Sequence, residues 1–170
     1  NGLFLNFFDS DDIAYSNHIE SALKIIENSA NIKIFHFSFN FINLKKNKIK
    51  TIKHSGITNY KILRGNFISC NSLFIEKKIF LKFKFDENRL LSGSEDWDLW
   101  LRISRSYHIY NFDTVTSAII DHENRSMNEK NINKIIKRLD IISKKVKNNV
   151  YKNLSNQEMN RISAHLLSFE

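Results

Sequence analysis

Three short stretches, two of clustered carboxylates and one that adds an imidazole, have patterns that suit catalysis. Asp9-Ser10-Asp11-Asp12 follows directly on the apolar run Leu3 to Phe8. Residues two apart in an extended chain point the same way, so Asp9 and Asp11 are able to converge on one cation. Two carboxylates plus substrate phosphates suit Mg²⁺ or Mn²⁺, hard ions that keep oxygen ligands. The competing reading is an acidic turn that caps the next helix, although three like charges in four residues repel unless a cation is near. Ser94-Glu95-Asp96-Trp97-Asp98-Leu99-Trp100-Leu101-Arg102 puts acid at the start of a helix. The helix dipole alone would account for that, with Leu99, Trp100 and Ile103 as core. A positioned carboxylate is also what an attacking hydroxyl needs to take its proton. The third stretch is Asp121-His122-Glu123-Asn124-Arg125-Ser126. A lone histidine after a strand is ordinarily structural, but His122 sits at a strand end in a polar loop, and imidazole is a fair Mn²⁺ ligand. The other five histidines lack such a setting and are assigned no role.

The elements that must carry these residues follow from the pattern of apolar positions. Leu3 to Phe8, broken only by Asn6, reads as a strand buried on both faces. Asn17 reads as a helix N-cap with Glu20 at the third helical position, and Ile19, Ala22, Leu23, Ile25 and Ile26 as that helix's apolar face. Phe35, Phe37, Phe39 and Phe41 alternate with His36, Ser38 and Asn40, a strand with one apolar face. Lys45 to Lys48 reads as a turn, Ile68 to Ile75 as a strand and Glu76 to Phe83 as a short helix. Gly93-Ser94 breaks the chain before a helix from Glu95, and Thr114 to Ile120 is the last strand. From Asn131 the pattern is helical, with Ile132, Ile135, Ile136, Leu139, Ile142 and Val146 on one side. Mixed strands and helices followed by helices alone predict an α/β domain with a helical tail.

At 170 residues the chain suits one sizeable core, and 42% hydrophobic with 26% charged residues reads as globular rather than disordered. No apolar run approaches the roughly 18 residues that span a bilayer. The net charge of +8 is not read as a nucleic-acid signal. Nineteen of the 26 basic residues are lysine, and proline is absent while Asn, Ile and Phe are over-used, the skew an AT-rich coding sequence produces. The single cysteine, Cys70, excludes an internal disulfide and fits a reducing compartment.

Taken in order, the motifs resemble those of the family 2-type glycosyltransferases. Phe7-Phe8-Asp9-Ser10-Asp11-Asp12-Ile13 looks like that family's F-L-D-S-D-D segment. Ser69 to Ile75 resembles the strand preceding the acceptor side, Phe85-Asp86-Glu87 the F-D-E turn, and Ser94 to Arg102 the E-D-W-D-L-W-L-R helix. The resemblance covers Gly2 to Met127. It implies a GT-A-like mixed sheet flanked by helices, lacking its N-terminal nucleotide-binding half. Residues 1–127 would be a partial GT-A domain with the metal and acceptor side, and 128–170 a helical extension. It also implies an inverting, metal-dependent transfer from a nucleotide-diphosphate sugar to a glycan or lipid-linked acceptor, in cell-surface polysaccharide synthesis. Asp9, Asp11 and His122 would hold Mn²⁺ or Mg²⁺, with Asp9 also facing the donor. Asp96 would be the base and Glu95 would shape the acceptor pocket. Trp97 would offer a flat surface to a sugar ring or pack under the helix, and Arg102 would meet phosphate or pair with Asp98 four residues earlier, the pair being the expectation. The lysines of the tail (130, 134, 137, 144, 145 and 147) form a solvated face or contact an anionic inner-leaflet surface, which would put a cytoplasmic enzyme at the inner face of the membrane. Two rival classes remain open: a glycoside hydrolase, which needs no metal, and a non-catalytic cation-binding or interaction module.

Overall fold

The computed structural model describes residues 2–43, 45, 47–122 and 131–168, with Lys48 described by its backbone alone. The chain forms two compact units. One is drawn from residues 1–58, 67–82 and 107–123, the other from 59–66, 83–106 and 124–170.

The first unit is a mixed sheet. Its main path runs β1 (Phe4–Asn6), β6 (Leu73–Glu76), β3 (Ile34–Asn43), β7 (Tyr110–Ile120) and β2 (Ile13–Ala14). β4 (Lys48–Ile52) adds to β3, and β5 (Gly56–Ile57) adds to β7. Only β3 and β7 run parallel among the described pairs, with register irregularities around Ser38. Helix α1 (His18–Asn28) supplies Ala22 to a core with Phe35, Phe37 and Phe74, against which Ile25, Ile26 and Phe112 pack. Phe35 and Phe74 stack with centroids 5.3 Å apart. Helix α3 (Lys77–Phe83) follows β6 directly and buries Ile79.

Several expectations change here. β1 is a three-residue, half-buried strand paired on one side among the described residues, and Leu3 is exposed. A continuous apolar run predicts two-sided burial, but this strand borders the described sheet. β3 departs the other way. His36 and Ser38 are as buried as the phenylalanines, because Asn111, Thr58 and Phe67 cover the face expected to be polar. The strand expected from Ile68 begins at Leu73, after a 3₁₀ turn over Cys70–Ser72. Asn17 does not cap α1; its amide donates to the carbonyl of Val115 at 3.2 Å. Ile19 and Leu23 are exposed, so the buried stripe of α1 is narrower than the apolar one.

The second unit is helical: α2 (Asn59–Ile62), α4 (Glu95–Ser104), α5 (Ile132–Lys147) and α6 (Asn156–Leu167). Leu99, Trp100, Leu101 and Ile103 of α4 are fully buried, as are Ile142, Tyr151 and Ile162. Ser155 and Glu158 form a reciprocal capping box at the start of α6, and Arg105 reaches Glu158 at 2.9 Å. The tail is thus part of the same core as the acidic helix, not an appendage.

Candidate active site

The acidic loop of the first unit leaves β1 through a turn in which Asp12 N–H donates to the carbonyl of Asp9 at 3.2 Å. Asp12 itself is held. Its carboxylate accepts from Asn71 Nδ2 at 2.9 Å and from the Ile120 N–H at 3.2 Å. Asn71 is 1% exposed, and its Oδ1 accepts from the hydroxyls of Ser69 at 2.8 Å and Ser117 at 3.3 Å. Two charge-assisted hydrogen bonds therefore meet one of the three clustered charges. The repulsion argument for a cation rests on Asp9 and Asp11 alone.

Below the loop, Asn6 donates to the carbonyls of Asn71 at 3.0 Å and Leu73 at 2.9 Å. Its other amide atom, Oδ1, lies 3.2 Å from Nε2 of buried His18, whose Nδ1 is 3.0 Å from the Thr116 hydroxyl. Burial holds the His18 imidazole below its ordinary pKa, so it serves as a neutral cross-brace between α1, β1 and β7. The one polar residue interrupting the first apolar run, Asn6, was the visible sign of this brace. His18 and Asn71 gave no comparable sign.

Across the sheet end, His122 Nε2 lies 2.6 Å from Asp11 Oδ2, and both side chains reach solvent. Asp121, anchored by its N–H to Ile42 at 2.7 Å and by Asn43 to its carboxylate at 2.6 Å, fixes the chain just before His122. Asp9 is exposed, and among the described residues no three His, Cys, Asp or Glu side chains gather as a metal site. A carboxylate oxygen and an imidazole nitrogen are nonetheless a donor pair whose chemistry suits Mn²⁺. The geometry thus joins two of the three expected ligands. Glu123 to Ser126, the rest of the third motif, and Met127 and Lys130 lie outside the described residues.

In the second unit the acidic helix divides into buried and half-buried parts. Asp98 is fully buried. Its Oδ2 accepts from Arg102 Nε at 2.9 Å, and its Oδ1 from Lys145 Nζ at 2.7 Å and from the Tyr151 hydroxyl at 2.9 Å. Lys145 also reaches Asp86 at 2.6 Å, and Arg102 donates to the carbonyls of Phe83 at 2.6 Å and Lys84 at 2.8 Å. The expected Asp98–Arg102 pair is present, but it belongs to a network that ties the F-D-E turn, α4 and α5 together. Lys145 is accordingly neither a solvated nor a membrane-facing charge. The Lys145 hydrogen bond is the first cause holding Asp86 below its ordinary pKa, and burial with the Asp98 charge pushes Tyr151 up.

Trp97 is 3% exposed, and its indole N–H donates to the carbonyl of Ile62 at 2.8 Å. Of its two expected roles, the structure gives packing: the ring is covered by protein rather than offered to a sugar. Asp96, one residue earlier, is half-buried. Its Oδ2 accepts from Asn66 Nδ2 at 2.8 Å and its Oδ1 from the Trp97 N–H at 2.7 Å. Burial pushes its carboxyl up to about 6 against these hydrogen bonds, and the neighbouring Glu95 charge adds to the rise. One oxygen of Glu95 is buried without a hydrogen-bond partner among the described residues. Polar atoms in that state are rare in native proteins, where strain, a catalytic role or a bound water or ion accounts for them.

No protein-family model matches the chain. It is similar to the Escherichia coli protein UDP-Glc:alpha-D-GlcNAc-diphosphoundecaprenol beta-1,3-glucosyltransferase WfgD, 28% identical over 108 residues, covering 64% of this chain and 41% of that protein. It is also similar to the uncharacterized glycosyltransferase RC0461 of Rickettsia conorii, 29% identical over 122 residues, 69% of this chain and 20% of that protein. The chain spans less than half the length of these curated relatives. Both relatives are named as glycosyltransferases, and the mixed α/β sheet is compatible with a glycosyltransferase fold.

Proposed function

We propose that this chain carries the metal and acceptor side of an inverting, GT-A-type glycosyltransferase. It would use a nucleotide-diphosphate sugar and a glycan or lipid-linked acceptor, for cell-surface polysaccharide assembly. The observation that carries the reading is the meeting of Asp11 and His122, 111 residues apart in sequence, at 2.6 Å. Asp11 and His122 would hold Mn²⁺ or Mg²⁺, with Asp9 facing the donor. When bound, such an ion neutralises the charge that develops on the leaving diphosphate. Asp96 takes the proton of the acceptor hydroxyl as that oxygen attacks the anomeric carbon, a single displacement that inverts configuration. A carboxyl with a pKa of about 6 suits a general base, because it is ionised near neutrality yet more basic than an ordinary aspartate. Glu95, with its unpartnered oxygen, would accept a hydrogen bond from another acceptor hydroxyl. The WfgD name, with UDP-Glc as donor and a diphosphoundecaprenol-linked sugar as acceptor, is a guide to substrate class.

The test is turnover beside nucleotide affinity, measured on the full-length protein. Asp96→Asn should lower transfer by about 10²-fold or more while leaving nucleoside diphosphate and Mn²⁺ binding unchanged. Asp11→Asn should weaken both, and chelator should weaken nucleotide binding to wild type but not to Asp11→Asn. The rate should rise with pH along an acid limb near 6, since only the ionised carboxylate accepts a proton. Retention of more than about a tenth of wild-type turnover by Asp96→Asn would remove Asp96 from the mechanism.

A further inference from the structure

We infer that Asn66, presented by the turn after α2, is a positioning residue that orients the Asp96 carboxylate for proton transfer. The inference rests on the reading of Asp96 as the base. Three observations converge on it. Asn66 Nδ2 donates to Asp96 Oδ2 at 2.8 Å from 30 residues away in sequence, while Oδ1 is taken by the Trp97 N–H. The two bonds address different oxygens and so fix the plane of the carboxylate, which a single bond does not.

The turn that delivers Asn66 is also built for the purpose. The carbonyl of Ile62 accepts both the Gly65 N–H at 3.2 Å and the Trp97 indole N–H at 2.8 Å, so one atom anchors the turn and the residue after Asp96. Gly65 has φ +129°, a conformation closed to side chains, and a Cβ there would lie 2.6 Å from Cε1 of His165. His165 packs edge-on against Trp97 with centroids 5.1 Å apart. The ring of α6 therefore closes over the turn and the tryptophan together.

A donated N–H favours the ionised carboxylate and so opposes burial, the main effect raising the Asp96 pKa. The charged group acting on Asp96 is Glu95 of its own helix. From the turn the group is the neutral Asn66, whose amide opposes the rise.

Carbon-detected NMR titration of the Asp96 carboxyl in this chain, assigned with Asp96→Asn, reads the effect directly. Asn66→Ala should raise the Asp96 titration by about one unit. In the full-length protein it should move the acid limb of kcat by the same amount and lower the plateau several-fold, with donor KM unchanged. Asn66→Ser, which keeps a shorter donor, should fall between Ala and wild type, and it carries the test if the alanine variant fails to fold. A titration indistinguishable from wild type in the folded variant overturns the inference, as does a loss of thermal stability with an unmoved acid limb. Should Asp96→Asn retain turnover while Asn66→Ala still shifts the titration, the base assignment fails but the orienting bond stands.

Discussion

Residues of one type in one motif have different work to do, and Asp96 and Asp98 show this two positions apart. Asp98 is buried, with three donors on its two oxygens, and its charge is part of what holds the second unit together. Its replacement is not the mild control that an exposed i,i+4 pair with Arg102 would make it. Asp98→Asn should cost about 3 kcal/mol, the lower end for breaking a buried ion pair, because Lys145 keeps Asp86. Denaturant unfolding followed by tryptophan fluorescence reads this cost locally, since both tryptophans of the chain, Trp97 and Trp100, lie in α4. An unchanged midpoint would refute the structural assignment. The linkage has a definite sign. Asp86 is lowered by Lys145, so its contribution is present above the ordinary carboxylate pKa and lost as pH falls through the lower folded value. Asp96 runs the other way: the folded state prefers it protonated, so stability is highest below its ordinary pKa of 3.8 and declines as pH rises through about 6.

At the scale of elements, what was legible in the sequence was whatever had a period or a break. α4 begins at Glu95, as Gly93-Ser94 implied, and β3 and β7 contain the strands that their apolar runs predicted. Burial partners were not legible, because they arrive from distant segments. The polar side of β3 gives no hint that Thr58, Phe67 and Asn111 will cover it. Lys145 looks no different in sequence from Lys144, yet Lys144 pairs with Asp140 in solvent while Lys145 is 15% exposed against buried Asp98. Of the site, the residues with unusual chemistry were visible and the neutral amides that orient them, Asn66 and Asn71, were not. The same distinction predicts the behaviour of α5. Charge reversal at Lys134, Lys137 and Lys144 should reduce sedimentation with anionic vesicles at low salt and leave the unfolding midpoint nearly unchanged. Lys145→Glu should instead lower the midpoint. A wild-type chain that ignores such vesicles at low salt leaves these lysines as a solvated face.

For the whole molecule, the decisive feature is that the second unit is assembled from stretches on both sides of the last strand. Removing residues 128–170 should therefore not yield a trimmed but folded catalytic portion. Such a truncation deletes Lys145 and Tyr151 from Asp98, His165 from Gly65 and Trp97, and the buried Ile142 and Ile162. The expected result is red-shifted tryptophan emission and rapid proteolysis within 83–106. A blue-shifted, protease-resistant spectrum like that of the whole chain would refute it.

The same interleaving has a consequence for how the protein is made. Asp98 emerges during translation 47 residues before Lys145 and 53 before Tyr151. At about 5–20 residues per second, α4 waits roughly 2–10 s with Asp98 paired only to Arg102 of its own helix and an apolar face it cannot yet cover. The acidic helix is therefore synthesised well before the segments that secure it. Nascent-chain chaperones have a defined window in which to hold it.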